Sequence, residues 1–342
     1  MKLGIIGLAG AGKTTFFNAL TQKGVGKQPS KDPNLGIVTV PDSRLAFLEQ
    51  LYSSKKLVPA TIEFVDIAGA NTKSLLSSIR EVDALIHIVR CFAEENSCVA
   101  DIEAINIELV FSDLDIVERR IIKTTKEVKA NKALVKELDL LNKLKSVLEE
   151  GKLLKSITDQ LPKEESNMIQ GFNLLTLKPV IYVANISLEN TANNSSCVQE
   201  ITTIAKEENS LVLDICAQIE EEIANLPADE RGLFLEDLGI TQSGLSRLIS
   251  ESYRILGLIS FLTAGEKEVR AWTIKEGTSA KEAAGKIHSD IERGFIRAET
   301  VDYEALKKAR NYNEAKKQGI VRLEGKDYTV KDGDVINFRF NV

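Results

Sequence analysis

Apolar residues in the first part of the chain fall in short runs. These are Leu3 to Ile6, Gly36-Ile37-Val38-Thr39-Val40, Ile62-Glu63-Phe64-Val65-Asp66, Ala84 to Val89, Pro179 to Ala184, and Leu211 to Ile215. Helical spacing separates them, as in Phe16, Phe17, Ala19 and Leu20. Continuous apolar runs alternating with helices predict an α/β fold, a largely parallel sheet covered on both faces. Strands that end in Gly, Asp or Asn set those groups at the carboxyl edge, where open α/β sheets bind ligands.

Between Asp101 and Leu161 the pattern changes. Leu114, Val117, Ile121, Val128, Val135, Leu138, Leu141, Leu144 and Leu148 recur at spacings near three, four or seven among Lys and Glu. This predicts two long helices, an antiparallel hairpin broken near Lys129-Ala130-Asn131, inserted into the sheet-forming region. Such a pair serves either as a partner-free insertion or as a docking arm. After Leu226-Pro227 the pattern is again helical. From Leu258 it becomes a small β-rich domain: strands at Glu268 to Ile274, Gly319 to Leu323, Tyr328 to Val330 and Val335 to Phe340, one main helix at Ala280 to Ile287, and turns at Gly325-Lys326-Asp327 and Lys331 to Asp334. The expected domains are therefore 1–100 with 166–257, the helical insertion 101–165, and 258–342.

With 342 residues, 43% hydrophobic and 27% charged, the composition is that of an ordinary globular chain of about two or three domains. No run approaches the roughly 18 apolar residues of a membrane span, and the N-terminus turns glycine-rich before a signal-peptide core could form. A cytoplasmic protein with no membrane partner is expected. Cys91, Cys98, Cys197 and Cys216 form no CxxC pair, and only His87 and His288 could join them in a metal site, so they are expected to be reduced thiols. The net charge is −6, yet residues 258–342 carry 16 Lys and Arg against 14 Asp and Glu, which leaves the rest at −8. A mildly basic module on an acidic body fits either an RNA-facing surface or solvated helix faces such as Lys307-Lys308-Ala309-Arg310 and Lys316-Lys317. His288 has no nucleophile near it in sequence and is expected to be structural, and Trp272 is expected in the core.

The chemistry lies in Gly7-Leu8-Ala9-Gly10-Ala11-Gly12-Lys13-Thr14, which matches G-x-x-x-x-G-K-[ST] directly between an apolar strand and a helix. A glycine-rich loop lets successive amides curl round a polyphosphate at a helix N-terminus. Gly7, Gly10, Ala11, Gly12, Lys13, Thr14 and Thr15 are the expected nucleotide contacts. Lys13 bridges the β- and γ-phosphates, and the Thr14 hydroxyl binds Mg²⁺. Asp66-Ile67-Ala68-Gly69 ends a strand some fifty residues later, as D-x-x-G does in nucleotide switches: Asp66 is placed to hold Mg²⁺ through water and the Gly69 amide to sense the γ-phosphate. Ala70 stands where related enzymes carry the glutamine that orients water, so slow turnover is expected. Asn185-Ile186-Ser187-Leu188-Glu189 follows the strand ending at Ala184. A guanine site would read N-K-x-D, and Leu188 has no acceptor for the guanine N1–H and 2-amino group, so adenine is at least equally permitted. Cys216-Ala217-Gln218 occupies the place of the loop that packs on the base. Asn185 is also compatible with a helix cap or a turn.

These residues resemble the YchF/Obg-like ATPase family over nearly the whole chain. The resemblance rests on Phe17-Asn18-Ala19-Leu20-Thr21, Pro33-Asn34-Leu35-Gly36, Asp66 to Gly69, Ile79-Arg80-Glu81, Val89-Arg90-Cys91-Phe92 and Thr176-Leu177-Lys178-Pro179. It rests above all on Phe261 to Gly265, Glu268 to Trp272, Ile287 to Glu299 and Gly333 to Val342. It implies a P-loop NTPase domain, a coiled-coil arm at the insertion and a C-terminal TGS domain of ubiquitin-like β-grasp fold. It further implies a Mg²⁺-dependent switch that takes ATP, often before GTP, hydrolyses it slowly and associates with ribosomes. DNA is not an expected partner, and a monomer is expected. In the family the base site uses Asn185 and the Ile186 backbone, a hydrophobic residue replaces the catalytic glutamine as Ala70 does, and Ser30 corresponds to the switch I threonine, a second hydroxyl for Mg²⁺. The chain departs from the family at Gly10, where an asparagine is usual, at Leu188, which moves the glutamate to Glu189, and in shortened segments after Ala70, before Ser30 and after Phe92.

Overall fold

The computed structural model describes residues 1–21, 34–67, 72–92, 97–187, 196–227 and 229–341, without the side chains of 72–75 and 159. In chain order the elements are β1 (Lys2–Ile6), α1 (Lys13–Thr21), β2 (Asn34–Thr39), α2 (Ser43–Tyr52), β3 (Leu57–Val58), β4 (Thr61–Asp66), α3 (Thr72–Arg80) and β5 (Ala84–Cys91). There follow α4 (Cys98–Val128), α5 (Val135–Glu149), α6 (Lys163–Gln170), β6 (Val180–Ile186), α7 (Ser196–Glu207), β7 (Leu211–Ile215), α8 (Ala217–Asn225), α9 (Arg231–Asp237) and α10 (Gly244–Ile255). The C-terminal part holds β8 (Leu258–Ala264), β9 (Val269–Lys275), α11 (Ala280–Ile287), α12 (Ser289–Arg293), β10 (Phe295–Asp302), α13 (Tyr303–Ala309), α14 (Tyr312–Lys317), β11 (Arg322–Glu324) and β12 (Asp334–Phe340).

Two compact units result, Met1–Ile37 with Glu63–Arg247, and Val38–Ile62 with Leu248–Val342. In the first, six strands lie in the order β2-β4-β1-β5-β6-β7, and β4, β1, β5, β6 and β7 run parallel to one another. β6 is buried along its whole length, as expected of a strand covered on both faces. The parallel register puts Asp66 beside Ile5 and Asn185 beside Arg90, so the polar strand ends gather at one edge.

The helical pair breaks where expected: α4 ends at Val128, and Asn131 caps the next turn with its side chain. Its beginning differs from the expectation. Cys98, Ile102, Ile105 and Leu109 on the first turns of α4 join the core of the sheet, and only from Val110 onward does the helix pack with Leu140, Leu141, Leu144 and Leu148 of α5. One helix therefore covers the sheet and then extends into the hairpin. At the junction the fully buried Asp113 accepts from the amides of Leu175 and Thr176 at 3.0 and 2.7 Å and from the Thr176 hydroxyl at 2.8 Å, fastening the chain just ahead of β6.

The second unit is the expected β-grasp. Its sheet runs β11-β10-β12-β8-β9-β3, with β8 and β9 a hairpin, β12 parallel to β8, and α11 packed on one face around Phe261, Ile274, Ala298 and Ile336. Three features differ from the sequence reading. β10 is a full strand that the pattern conceals, because the buried Glu299 interrupts its apolar run; Arg339, Asn337, Tyr312 and Lys316 surround that carboxylate. Tyr328 to Val330 forms only an isolated bridge, Thr329 to Ser279. Residues 38–62, assigned by sequence to the first domain, group with the second unit. There β3 pairs with β9, the Phe47 and Tyr303 rings meet edge to face at 5.7 Å, and Arg44 bridges Asp42 and Asp332.

The expectation of four reduced thiols is corrected. Cys91 and Cys197 form a disulfide with Cα atoms 5.9 Å apart, while Cys98 and Cys216 are free. The two lie 106 residues apart, and only the pairing of β5 with β6 and the return of the chain into α7 bring them together. Among the described residues, no helix is long and apolar enough to cross a membrane.

Candidate functional site

The loop between β1 and α1 is shaped by glycines. At Gly7, φ is +149° and a Cβ would stand 2.4 Å from the Ile88 carbonyl; at Gly12, φ is +89° and a Cβ would stand 2.6 Å from Asn185 Nδ2. Any side chain at either position collides with fixed groups in a left-handed backbone region. The Ala11 amide closes the turn onto the Leu8 carbonyl at 3.2 Å, so Ala11, expected among the nucleotide contacts, is spent inside the loop. Gly10 is exposed, and Thr14 stands exposed on the first turn of α1 with Thr15 half-buried behind it.

Lys13 curls back over the loop, and its Nζ donates to the carbonyls of Gly7 and Leu8 at 2.9 and 2.8 Å. Burial pulls its ammonium below the usual lysine range, and Asp66 opposes that pull. Asp66, at the end of β4, is itself 4% exposed. Burial raises its carboxyl above the usual range, against the charge of Lys13 and a hydrogen bond from Asn34. No motif assigns Asn34 a role; its place in the Pro33-Asn34-Leu35-Gly36 run is its one signal in the sequence.

Asn185 ties the loop to the rest of the edge. Its Nδ2 donates to the Ala11 carbonyl at 3.0 Å, and its Oδ1 accepts from the Ala217 amide at 3.1 Å. It bridges the loop and the first residue of α8, two partners 174 and 32 positions away in sequence. Ile186 is buried at the end of β6, Cys216 precedes α8, and both border a cleft of about 300 Å³ that opens toward Gln242 and Arg247. The structure thus brings together Gly7, Gly10, Ala11, Gly12, Lys13, Thr14, Asp66, Asn185 and Ala217. Ser30, Gly69, Ala70, Leu188 and Glu189 lie outside the described residues. His288 is structural, its Nδ1 accepting from the Asp290 amide at 3.1 Å to cap α12. Trp272 is half-buried, stacked on Phe261 with Arg270 over its ring.

A glycine loop between a parallel strand and a helix, with an enclosed lysine and an acidic residue ending the neighbouring strand, defines a P-loop domain of the GTPase type. Comparison with known proteins agrees. A family model described as "50S ribosome-binding GTPase" matches residues 2–135, and the model for the YchF GTPase C-terminus, described as a protein of unknown function, matches residues 258–341. "Ribosome-binding ATPase YchF" of Bacillus subtilis (strain 168) is 47% identical over 99% of both chains, and that of Escherichia coli O157:H7 is 42% identical over 100% of this chain and 99% of its own. The structure of the Schizosaccharomyces pombe YchF GTPase superposes with a TM-score of 0.89 at 29% identity, covering 99% of this chain and 97% of the other. The chain belongs to the YchF family.

Proposed function

We propose that the protein is a nucleotide-dependent switch that binds ATP with Mg²⁺, hydrolyses it slowly and works at the ribosome in the cytoplasm as a monomer, without DNA or membrane partners. The observation that carries this reading is the loop of Gly7 to Thr14 closed round the Lys13 ammonium, with Asp66 beside it. A triphosphate offers Lys13 better acceptors than the two loop carbonyls, because its oxygens carry net negative charge and add Coulomb attraction to the hydrogen bond. Amides of the loop and of Thr14 and Thr15 hold the phosphates.

The donor set fits Mg²⁺. Among the described residues no cluster of three or more His, Cys, Asp or Glu could hold a metal, whereas one hydroxyl (Thr14) and one carboxylate (Asp66) suit an ion that takes few protein ligands and completes its shell with phosphate and water. Ser30 adds a second hydroxyl. When bound, the ion neutralises charge on the β- and γ-phosphates. The Gly69 amide reads the γ-phosphate, and Ala70 cannot orient water, so turnover is slow without a partner.

Asn185, held in place by the Ala11 carbonyl and the Ala217 amide, keeps a second Nδ2 hydrogen for the base, beside the Ile186 backbone, with Cys216 and Ala217 packing on the ring. Leu188 removes the carboxylate that guanine needs, and the names of the relatives support ATP and the ribosome. The basic C-terminal unit, a TGS domain by resemblance, supplies a surface for ribosomal RNA. The test is calorimetric titration of ATP and GTP side by side, with Mg²⁺ and with EDTA, followed by phosphate release with and without ribosomes. Tighter ATP binding that needs Mg²⁺ is expected, and retention of neither nucleotide overturns the reading. A GTPase is the second reading, favoured by the description of the N-terminal family model; tighter GTP binding would select it. A non-hydrolysing ribosome-binding module is a third outcome, marked by no phosphate release in either condition.

A further inference from the structure

The first residue of β2 and the last residue of β4 meet beside the P-loop. β2 is the neighbour of β4 in the sheet, Asn34 opens β2 and Asp66 closes β4. The Asn34 side-chain amide donates to the Asp66 carboxylate. What seats Asn34 there is Gly36, two residues further along the strand. Gly36 is buried, and a Cβ in its place would stand 2.1 Å from Thr21 Cγ2 and 3.1 Å from Phe17 Cζ. β2 therefore lies against the end of α1, the helix whose first turn carries Lys13 and Thr14. Phe17 is buried and the Thr21 hydroxyl donates back to the Phe17 carbonyl at 2.8 Å, so the surface that receives Gly36 is fixed. One helix thus places the lysine, the hydroxyl and, through β2, the amide that meets Asp66.

We propose that Asn34 is a positioning residue for the Mg²⁺ site, its side-chain amide holding the Asp66 carboxylate in the orientation that accepts from a water on the ion. This rests on the nucleotide-binding reading above. The terminal torsion of an aspartate is soft, so a carboxylate with no hydrogen-bond donor to hold it samples many orientations. Its two oxygens offer roughly four lone-pair sites; one bond from Asn34 restricts the torsion and leaves the other sites for the water. Lys13 does not serve this purpose, because its Nζ donates to the Gly7 and Leu8 carbonyls and turns to the phosphates when nucleotide binds. Asn34 acts through Asp66 and not on the phosphates, so its removal weakens the hold on the ion and leaves the amides of the loop as they were. Groups that orient a metal's ligands in this way typically carry about 10- to 100-fold in metal affinity.

The experiment titrates ATP into the full chain by calorimetry, over a series of Mg²⁺ concentrations and in EDTA. It compares the wild type, Asn34→Ala, Asp66→Asn and the double variant. In Asn34→Ala the Mg²⁺ concentration that half-restores ATP affinity is expected to rise about tenfold or more, while ATP binding in EDTA keeps its wild-type constant. A purely structural asparagine would instead weaken binding equally with and without Mg²⁺. Because Asn34 acts through Asp66, the double variant binds ATP at saturating Mg²⁺ no more weakly than Asp66→Asn alone. An unchanged Mg²⁺ midpoint, an equal loss in both media, or a further loss in the double variant overturns the proposal. A wild type that binds no ATP, or binds it without regard to Mg²⁺, overturns the nucleotide reading along with it. Mg²⁺-dependent binding whose midpoint ignores Asn34 overturns the inference alone.

Discussion

Lys13 and Asp66 face one another in a site that disfavours both of their charges. Burial lowers the lysine and raises the aspartate, and their mutual attraction recovers only part of the cost. A carboxyl whose folded pKa lies above its unfolded value binds its proton more tightly in the native state. Stability from this group is therefore largest at low pH and declines as pH rises through the window above the usual carboxylate value. Once ionised, Asp66 is a burden on the fold. Asp66→Asn is thus expected to raise the melting temperature of the nucleotide-free protein at pH 7 and to abolish Mg²⁺-dependent ATP affinity; a fall in melting temperature would contradict this assignment. Lys13→Ala removes the charged phosphate contact, worth about 1.5–3 kcal/mol. Calorimetry should show ATP affinity reduced by roughly tenfold to a hundredfold, and an unchanged constant would remove Lys13 from the site.

The central strand β5 carries His87 through the core. Its ring is 1% exposed, packs 5.4 Å from the Tyr182 ring and leaves Nε2 without a partner among the described residues. Burial first, and then Lys155, lower its pKa from 6.5 to about 3. Between those values the unfolded chain binds a proton that the native strand refuses, so stability falls as pH drops below 6.5. From pH 6.5 to about 5 this amounts to about 1.6 kcal/mol, measurable by urea denaturation. His87→Leu should flatten that part of the pH profile, and an unaltered slope would show that other groups set it. Elements were legible where local pattern decided them: the apolar runs, the P-loop and the break at Lys129 to Asn131. They were hidden where a distant partner compensates a polar residue, as Arg339 and Asn337 do for Glu299 in β10.

The chain is divided differently from the linear order of its motifs. Val38–Ile62, early in sequence, is part of the C-terminal unit through β3 on β9 and through Arg44, which joins Asp42 to Asp332. The core around Phe261 lies wholly within Leu248–Val342. A fragment of those residues is expected to fold but to leave the β9 edge unpaired, and bare edges template association. Size-exclusion chromatography should find it forming oligomers; a monomeric fragment with full thermal stability would mean that β3 and α2 contribute little.

Short-range chemistry settled much from the linear chain: the glycines and lysine of the P-loop, the alternation of strand and helix, and membership of an ATP- or GTP-handling class all follow from residues within a few positions of one another. Folding in three dimensions chose the rest. The Cys91–Cys197 bond, the enclosure of His87, the double engagement of Asn185 and the transfer of Val38–Ile62 to the second unit each join positions far apart in the chain. Strand register and crossover direction govern such meetings, and local residue patterns carry no record of either.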